Sequence, residues 1–428
     1  MLTFKKTLSE IFDLQEFAIK LGLDNIKALA QFLSDPHKSY PVIHIAGTNG
    51  KGSTSFFLAK ILQKHGLKVG LYTSPHLTDF RERIRVNDDL IEADFISAFW
   101  ATIKTLVMER KATFFDTTTA MALDYFRIRQ VDVAIIETGL GGRLDSTNIV
   151  QPELVVLTPI HFDHEKQLGY TLREIAAEKA GIIKNHTPVL CATQEEEALQ
   201  TLKSCIGPDQ TFYYISDLVR TEILSESIDG CRFHLQDQHH NTRLENLFTR
   251  QIGAFQIDNI ALAYLAARIY LGRIKTDFSS EDFRDVVKQQ LWAGRLQLIR
   301  KDPHIFFDVS HNTQGFTKSL PALKALTGNR KLMVLVGLVK DKNVQAISRI
   351  IHAYSDRVVI TEPDTPRRLE GAELLQAIQE SGSRALFIKD SEKAFEFCIQ
   401  RLHPTDCLLA IGSHYLIGGL LKSKINLT

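Results

Sequence analysis

The chain has 428 residues, 44% of them hydrophobic and 24% charged, which excludes a disordered protein and is more than one ordinary core organises, so two domains are expected. With 51 basic against 50 acidic residues the formal net charge is +1, which gives no electrostatic footprint for a nucleic-acid or anionic-membrane partner. No apolar run reaches transmembrane length, the first residues carry acidic side chains where a secretory signal would be apolar, and the five cysteines form no C-x-x-C pair; a reduced, cytoplasmic, monomeric protein is the expectation.

In chain order, short apolar runs alternate with amphipathic helical patterns, the signature of a parallel α/β sheet covered on both faces. Residues 40–46 (YPVIHIA) read as a buried strand, followed by a glycine-rich turn, a helix over 53–65 and a second strand over 68–73. Further strands are expected at 131–137, 154–159 and 188–192, with helices over 116–127 and 172–180. Residues 194–250 are more polar, with alternating segments at 211–216 and 231–236. They read as a small β-rich excursion of the first domain. Alternation resumes near residue 303, with strands expected at 305–309, 332–337, 357–361, 385–389 and 407–411. The predicted architecture is a parallel-sheet α/β domain over 1–294, with its first strand, glycine turn and helix in the P-loop order, and a smaller Rossmann-like α/β domain over 295–428.

Chemistry-bearing residues gather at the carboxyl ends of these strands, where open parallel sheets bind ligands. The strongest is Gly47-Thr48-Asn49-Gly50-Lys51-Gly52-Ser53 between the first strand and first helix. Such a loop offers backbone N–H groups and a helix N-terminus to phosphate, with Lys51 as a mobile cation and Ser53 as a hydroxyl for phosphate or its magnesium. Its spacing, G-x-x-G-K-G-S, differs from the usual P-loop by the glycine between Lys and Ser. Glu137 ends the strand VAIIE and could hold Mg²⁺ beside a triphosphate. His161-x-Asp163-His164 follows another strand end; alone it reads first as a local hydrogen-bonding loop and only second as a metal site. Ser74 ends the second strand. By spacing alone Lys179 reads as a helix-end lysine and Asp308-Val309-Ser310-His311-Asn312 as a helix cap.

Taken together these segments resemble the folylpolyglutamate synthase and dihydrofolate synthase family, relatives of the Mur ligases. The resemblance runs through LGL at 21–23, HIAGTNGKGS at 44–53, SPHL at 74–77, ETGLGGRLDSTN at 137–148, Asp163-His164, EKAGI at 178–182, Asn259, the WAGR arginine Arg295 and DVSHN at 308–312. It implies that Ser74, Glu137 and His164 bind two Mg²⁺ ions and that Lys179 carries a carbamate. It further implies that Thr48–Ser53, Asn259, Arg295, Asp308 and His311 bind ATP. Leu21, Gly22, Leu23, Thr113, Phe114, Phe115, Asp116, Leu144, Asp145 and Ser146 would line the pterin site. One departure is Asp308-Val309-Ser310-His311-Asn312-Thr313 where the family usually reads D-G-A-H-N-P, which keeps the Asp and His but changes the loop between them.

The implied reaction phosphorylates the carboxylate of dihydropteroate or of a folate glutamate. The amine of L-glutamate then attacks the acyl phosphate, with the domains closing to exclude water. Three other readings share part of the pattern. They are a nucleotide switch or transport ATPase, although no Asn-Lys-x-Asp guanine signature occurs; a peptidoglycan-type Mur ligase, which typically places Thr directly after the loop Lys; and a catalytically silent pterin-binding protein. Whether the chain performs both additions or only extends existing folates stays open at this level.

Overall fold

A computed structural model of the chain describes residues 3–14 and 22–423. It divides into two compact units, the first formed by 1–160, 168–219 and 259–286, the second by 161–167, 220–258 and 287–428.

The first unit is built on an eight-stranded sheet. Its strands are β1 (Val42–Ala46), β2 (Val69–Tyr72), β3 (Ile84–Val86), β4 (Asp89–Leu90), β5 (Val133–Glu137), β6 (Leu154–Leu157), β7 (Val189–Cys191) and β8 (Phe212–Tyr214), in the spatial order β4-β3-β2-β5-β1-β6-β7-β8. From β2 to β8 every pairing is parallel, while β3 and β4 add an antiparallel edge. Every residue of β1, β2, β5, β6 and β7 is buried, as expected for strands with both faces covered, and this is why they read as unbroken apolar runs. One apolar cluster joins Val42, Tyr72, Ala134 and Ile136 to the helices Phe4–Asp13, Asp24–Phe32, Ala93–Arg110 and Phe114–Ile128. A second joins Ala46, Val155, Leu157 and Val189 to the helices Leu172–Ala180 and Glu196–Ser204.

The second unit carries two sheets. A three-stranded sheet of β9 (Val219–Ser227), β10 (Gly230–Asp237) and β11 (Thr242–Thr249) has the order β11-β10-β9. A six-stranded sheet of β12 (Gln297–Arg300), β13 (His304–Asp308), β14 (Leu332–Val336), β15 (Arg357–Ile360), β16 (Ala385–Phe387) and β17 (Cys407–Ile411) has the order β12-β13-β17-β14-β15-β16, with only β12 antiparallel.

The β-rich excursion differs from its sequence reading. Of 194–250, residues 194–218 hold the helix Glu196–Ser204 and β8, which extends the first sheet. Residues 220–258 cluster with the second unit instead of the first. The cause is local packing: Ile228, Ile252 and Phe255 join the apolar cluster of the six-stranded sheet. Gln251 Nε2 also donates to the Trp292 carbonyl at 3.3 Å, and Glu226 accepts the Gly253 N–H at 2.7 Å.

Candidate functional site

In the first unit β1 lies between β5 and β6, and the glycine loop leaves its carboxyl end. The loop's shape depends on glycine at two points. Gly47 (φ 149°) is so close to Thr158 that an added Cβ would lie 2.8 Å from its carbonyl oxygen. Gly50 takes the left-handed conformation at φ 88°, a favourable basin for glycine alone. A Cβ on Gly50 would run into the Asn259 amide, which places Asn259 directly against the loop. The Thr48 and Asn49 N–H groups donate to the Pro159 carbonyl at 2.9 and 3.3 Å, so these two amides shape the loop. The first helical bond of Lys51–Lys64 is Thr54 N–H to Gly50 O at 2.9 Å. The N–H groups of Lys51, Gly52 and Ser53 precede it, and these are the donors that a helix start leaves for an anion.

Two lysines converge on one carbonyl of this loop. Lys51 Nζ donates to Gly47 O at 3.2 Å and Thr48 O at 3.4 Å, and Lys179 Nζ donates to Gly47 O at 2.8 Å. Lys179 is only 5% exposed, so it is a buried cation at the phosphate loop and not the solvated helix-end lysine of the spacing argument. Glu137, buried at the end of β5, lies 4.0 Å from Lys51 Nζ, and its Oε2 accepts the Ser74 N–H at 3.3 Å. The fold therefore brings together Lys51, Ser74, Glu137, Lys179 and Asn259, which span more than 200 positions of sequence.

The residues expected to line a pterin site are tied by a second network. Thr113 and Asp116 form a capping box at the start of Phe114–Ile128, with the Thr113 N–H and hydroxyl donating to Asp116 Oδ2 at 2.9 and 2.8 Å. The other oxygen of Asp116 accepts the Ser146 hydroxyl at 2.6 Å. Asp145 accepts the N–H groups of Gly139 and Leu140 at 2.9 and 2.7 Å and the Thr147 hydroxyl at 2.5 Å. Burial raises the Asp145 carboxyl above its ordinary value despite these donors. Thr147 Oγ1 in turn meets His44 Nε2 at 2.8 Å, so the 139–148 loop is bonded to β1. The Phe115 ring lies 6.0 Å from that of Tyr72, while Leu23 and Phe114 belong to the same apolar cluster. Gly22 and Leu144 are half-buried; Leu21 lies outside the described residues.

The remaining predicted residues fall in the second unit. Asp308 is buried and its carboxylate is fully engaged by the chain. It accepts from Leu296 N–H at 3.0 Å, Ser310 N–H at 2.6 Å and Ser319 Oγ at 3.0 Å. It thereby pins the turn around half-buried Arg295, where Gly294 and Leu296 have φ of 72° and 41°. Asn312 caps Thr313–Thr327 by accepting the Gly315 N–H at 2.9 Å. His164 (φ 53°) and His311 both face Asp163, at 4.0 and 3.6 Å. Lys342 lies 2.6 Å from Asp163. Burial opposes charge on Asp163, yet the hydrogen bond and charge of His311, with His164 and Lys342, hold its carboxyl far below the usual range. In the sequence Asp163 stands out only as part of the His161-x-Asp163-His164 cluster, and nothing singles out Lys342.

The sequence matches the Mur ligase middle domain over residues 45–267 and the Mur ligase glutamate ligase domain over 294–414. With a phosphate loop on a parallel sheet and a buried lysine against it, these matches define a Mur-type ligase. The relatives narrow the class. A dihydrofolate synthase/folylpolyglutamate synthase of Bacillus subtilis is 33% identical over 95% of this chain and 96% of its own length. A folylpolyglutamate synthase of Lacticaseibacillus casei is 32% identical over 99% of both. The chain belongs to the folylpolyglutamate synthase/dihydrofolate synthase family. Among solved structures, Mycobacterium tuberculosis folylpolyglutamate synthase complexed with ADP superposes with a TM-score of 0.88 at 26% identity, covering 97% of this chain and 98% of that one. Escherichia coli FolC in complex with DHPP and ADP gives 0.87 at 28% identity, covering 98% and 97%.

Proposed function

We propose that the chain adds L-glutamate to dihydropteroate and to tetrahydrofolate polyglutamates, converting ATP to ADP and phosphate. The observation that carries this reading is the convergence of Lys51, Lys179, Glu137 and Ser74 on the phosphate loop, in the same unit as the Asp116–Ser146 network. A substrate carboxylate oxygen attacks the γ-phosphorus and ADP leaves. The glutamate amine then attacks the acyl carbon, phosphate leaves, and the amine proton goes to solvent. Lys51 and the Lys51–Ser53 amides stabilise charge on the transferring group. Thr113–Asp116 and Leu144–Ser146, with Gly22 and Leu23, position the pterin. Asn259 holds the loop, Arg295 and His311 contact nucleotide, and Asp308 acts on the nucleotide by holding the Arg295 turn.

The donor chemistry fits two Mg²⁺ ions. Among the described residues no group of three or more His, Cys, Asp or Glu gathers for a metal. In the first unit Glu137, the Ser74 hydroxyl and a Lys179 carbamate would offer oxygen ligands beside phosphate oxygens, and the family resemblance adds His164. When bound, the ions supply charge neutralisation on the triphosphate. Reduced cysteines, all five unpaired, and the lack of a helix long and apolar enough to cross a membrane among the described residues support a cytoplasmic site of action. The working unit in this reading is a monomer.

The test is ATP-dependent phosphate release with L-glutamate and, separately, dihydropteroate or tetrahydrofolate. Both acceptors should drive release, and Lys51→Ala should lose at least roughly 100-fold in either reaction. Release with tetrahydrofolate alone would reduce the activity to chain extension, and release with neither would overturn the reading.

A further inference from the structure

In the second unit the Asp163 carboxylate is gripped from several sides. Lys342 Nζ lies 2.6 Å from Oδ1, with the lysine side chain 3% and the carboxylate side chain 8% exposed. Asn312 Nδ2 donates to Oδ2 at 3.1 Å, and His311 Nε2 lies 3.6 Å from the same oxygen. Oδ1 also accepts the backbone N–H of His164 at 2.9 Å, the residue held at φ 53°. A second ion pair, Lys166 to Asp341 at 2.7 Å, runs the opposite way between the same two segments, so 161–167 is fastened twice to the loop that follows β14.

Burying an ion pair is a poor route to stability, because desolvation offsets most of the attraction. What distinguishes this pair is the company its carboxylate keeps. A left-handed backbone is unfavourable for a histidine and persists where neighbouring groups hold it; the Asp163 acceptor does so for His164. His311 Nδ1 faces its own chain at Val309 O, 3.1 Å away, which turns Nε2 toward Asp163. The carboxylate thus fixes one site residue through its backbone and another through its ring, and Lys342 fixes the carboxylate.

We propose that Asp163, clamped by Lys342, is a positioning residue for the ligase reaction, setting the backbone at His164 and the ring of His311 without touching substrate. Its activity arm rests on the function proposed above.

Three variants of the full chain test it. Asp163→Asn keeps the shape and removes the charge; Asp163→Glu keeps the charge and displaces the carboxylate by one methylene; Lys342→Met releases the clamp. All three should lower kcat by roughly 30- to 100-fold, since misplacement of about 1 Å has this effect, with KM for the pterin within about twofold. A part confined to charge balance would leave Asp163→Glu near normal, so full activity there overturns the proposal. The second readout needs no turnover. With ¹⁵N-histidine labelling of the 15 histidines, the signals of His164 and His311, assigned from His164→Gln and His311→Gln, should move in each variant while that of His65 stays. Unmoved signals also overturn it. If Asp163→Asn does not fold, Lys342→Met, which leaves the other bonds of the carboxylate in place, decides the matter alone. If the wild type lacks ligase activity, the functional reading fails while the imidazole signals still decide the geometry.

Discussion

His44 shows how far one side chain's environment departs from solution. It is fully buried in β1, and burial, with a smaller contribution from the Lys184 charge, lowers its imidazole to about 3. Its Nδ1 has no hydrogen-bond partner among the described residues. The unfolded chain binds a proton near pH 6.5 and the folded chain does not, so below that pH the unfolded state holds more protons and stability falls. His44 therefore contributes stability that is complete above pH 6.5 and is lost as pH falls toward about 3, at roughly 1.4 kcal/mol per pH unit. His44→Gln should flatten the acid limb of a urea-midpoint profile between pH 6.5 and 4; parallel profiles would contradict this account. Lys179 offers a second residue-scale test. A carbamate forms only on a neutral amine, so Lys179 should take up ¹³C-bicarbonate more fully at higher pH, giving a carbonyl signal that Lys179→Arg lacks. The same variant should be inactive, and an active Lys179→Arg protein would remove the carbamate from the mechanism.

At the scale of elements, the capping box of Phe114–Ile128 has two roles, because Asp116 both starts this helix and holds Ser146. Asp116→Ala should cost about 1 kcal/mol in unfolding free energy from the lost cap. It should also raise KM for the pterin roughly tenfold, about 1.4 kcal/mol, while KM for ATP stays constant. An equal rise in both would place Asp116 outside the pterin site. The same elements show what could be read in advance. The runs VIHIA, VAIIE and LVVL announced β1, β5 and β6 because strands buried on both faces need apolar residues throughout. Glu137 was legible for the same reason, as a charge at the end of such a run. The short edge strands β3 and β4 carried no such signal. Which core the 220–258 segment packs on could not be read, since alternation reveals a half-buried strand but not what it covers; it clusters with the second unit while the Mur ligase middle-domain match runs through it. Lys342 was illegible because its partner Asp163 lies 179 positions away and a lysine in a loop is ordinarily solvated.

At the scale of the whole molecule, the two units carry separate tasks: the first holds the phosphate loop and the Asp116–Ser146 network, the second the Arg295 turn and the Asp163 cluster. Their common purpose in this account is transfer of a phosphoryl group to a carboxylate before the amide forms. That claim has a direct isotopic test. A folate substrate carrying ¹⁸O in its terminal carboxylate, incubated with ATP, L-glutamate and the enzyme, should deliver one ¹⁸O atom to each phosphate released. Phosphate containing only unlabelled oxygen, formed while the amide accumulates, would show that the carboxylate never attacks the γ-phosphorus and would contradict the account.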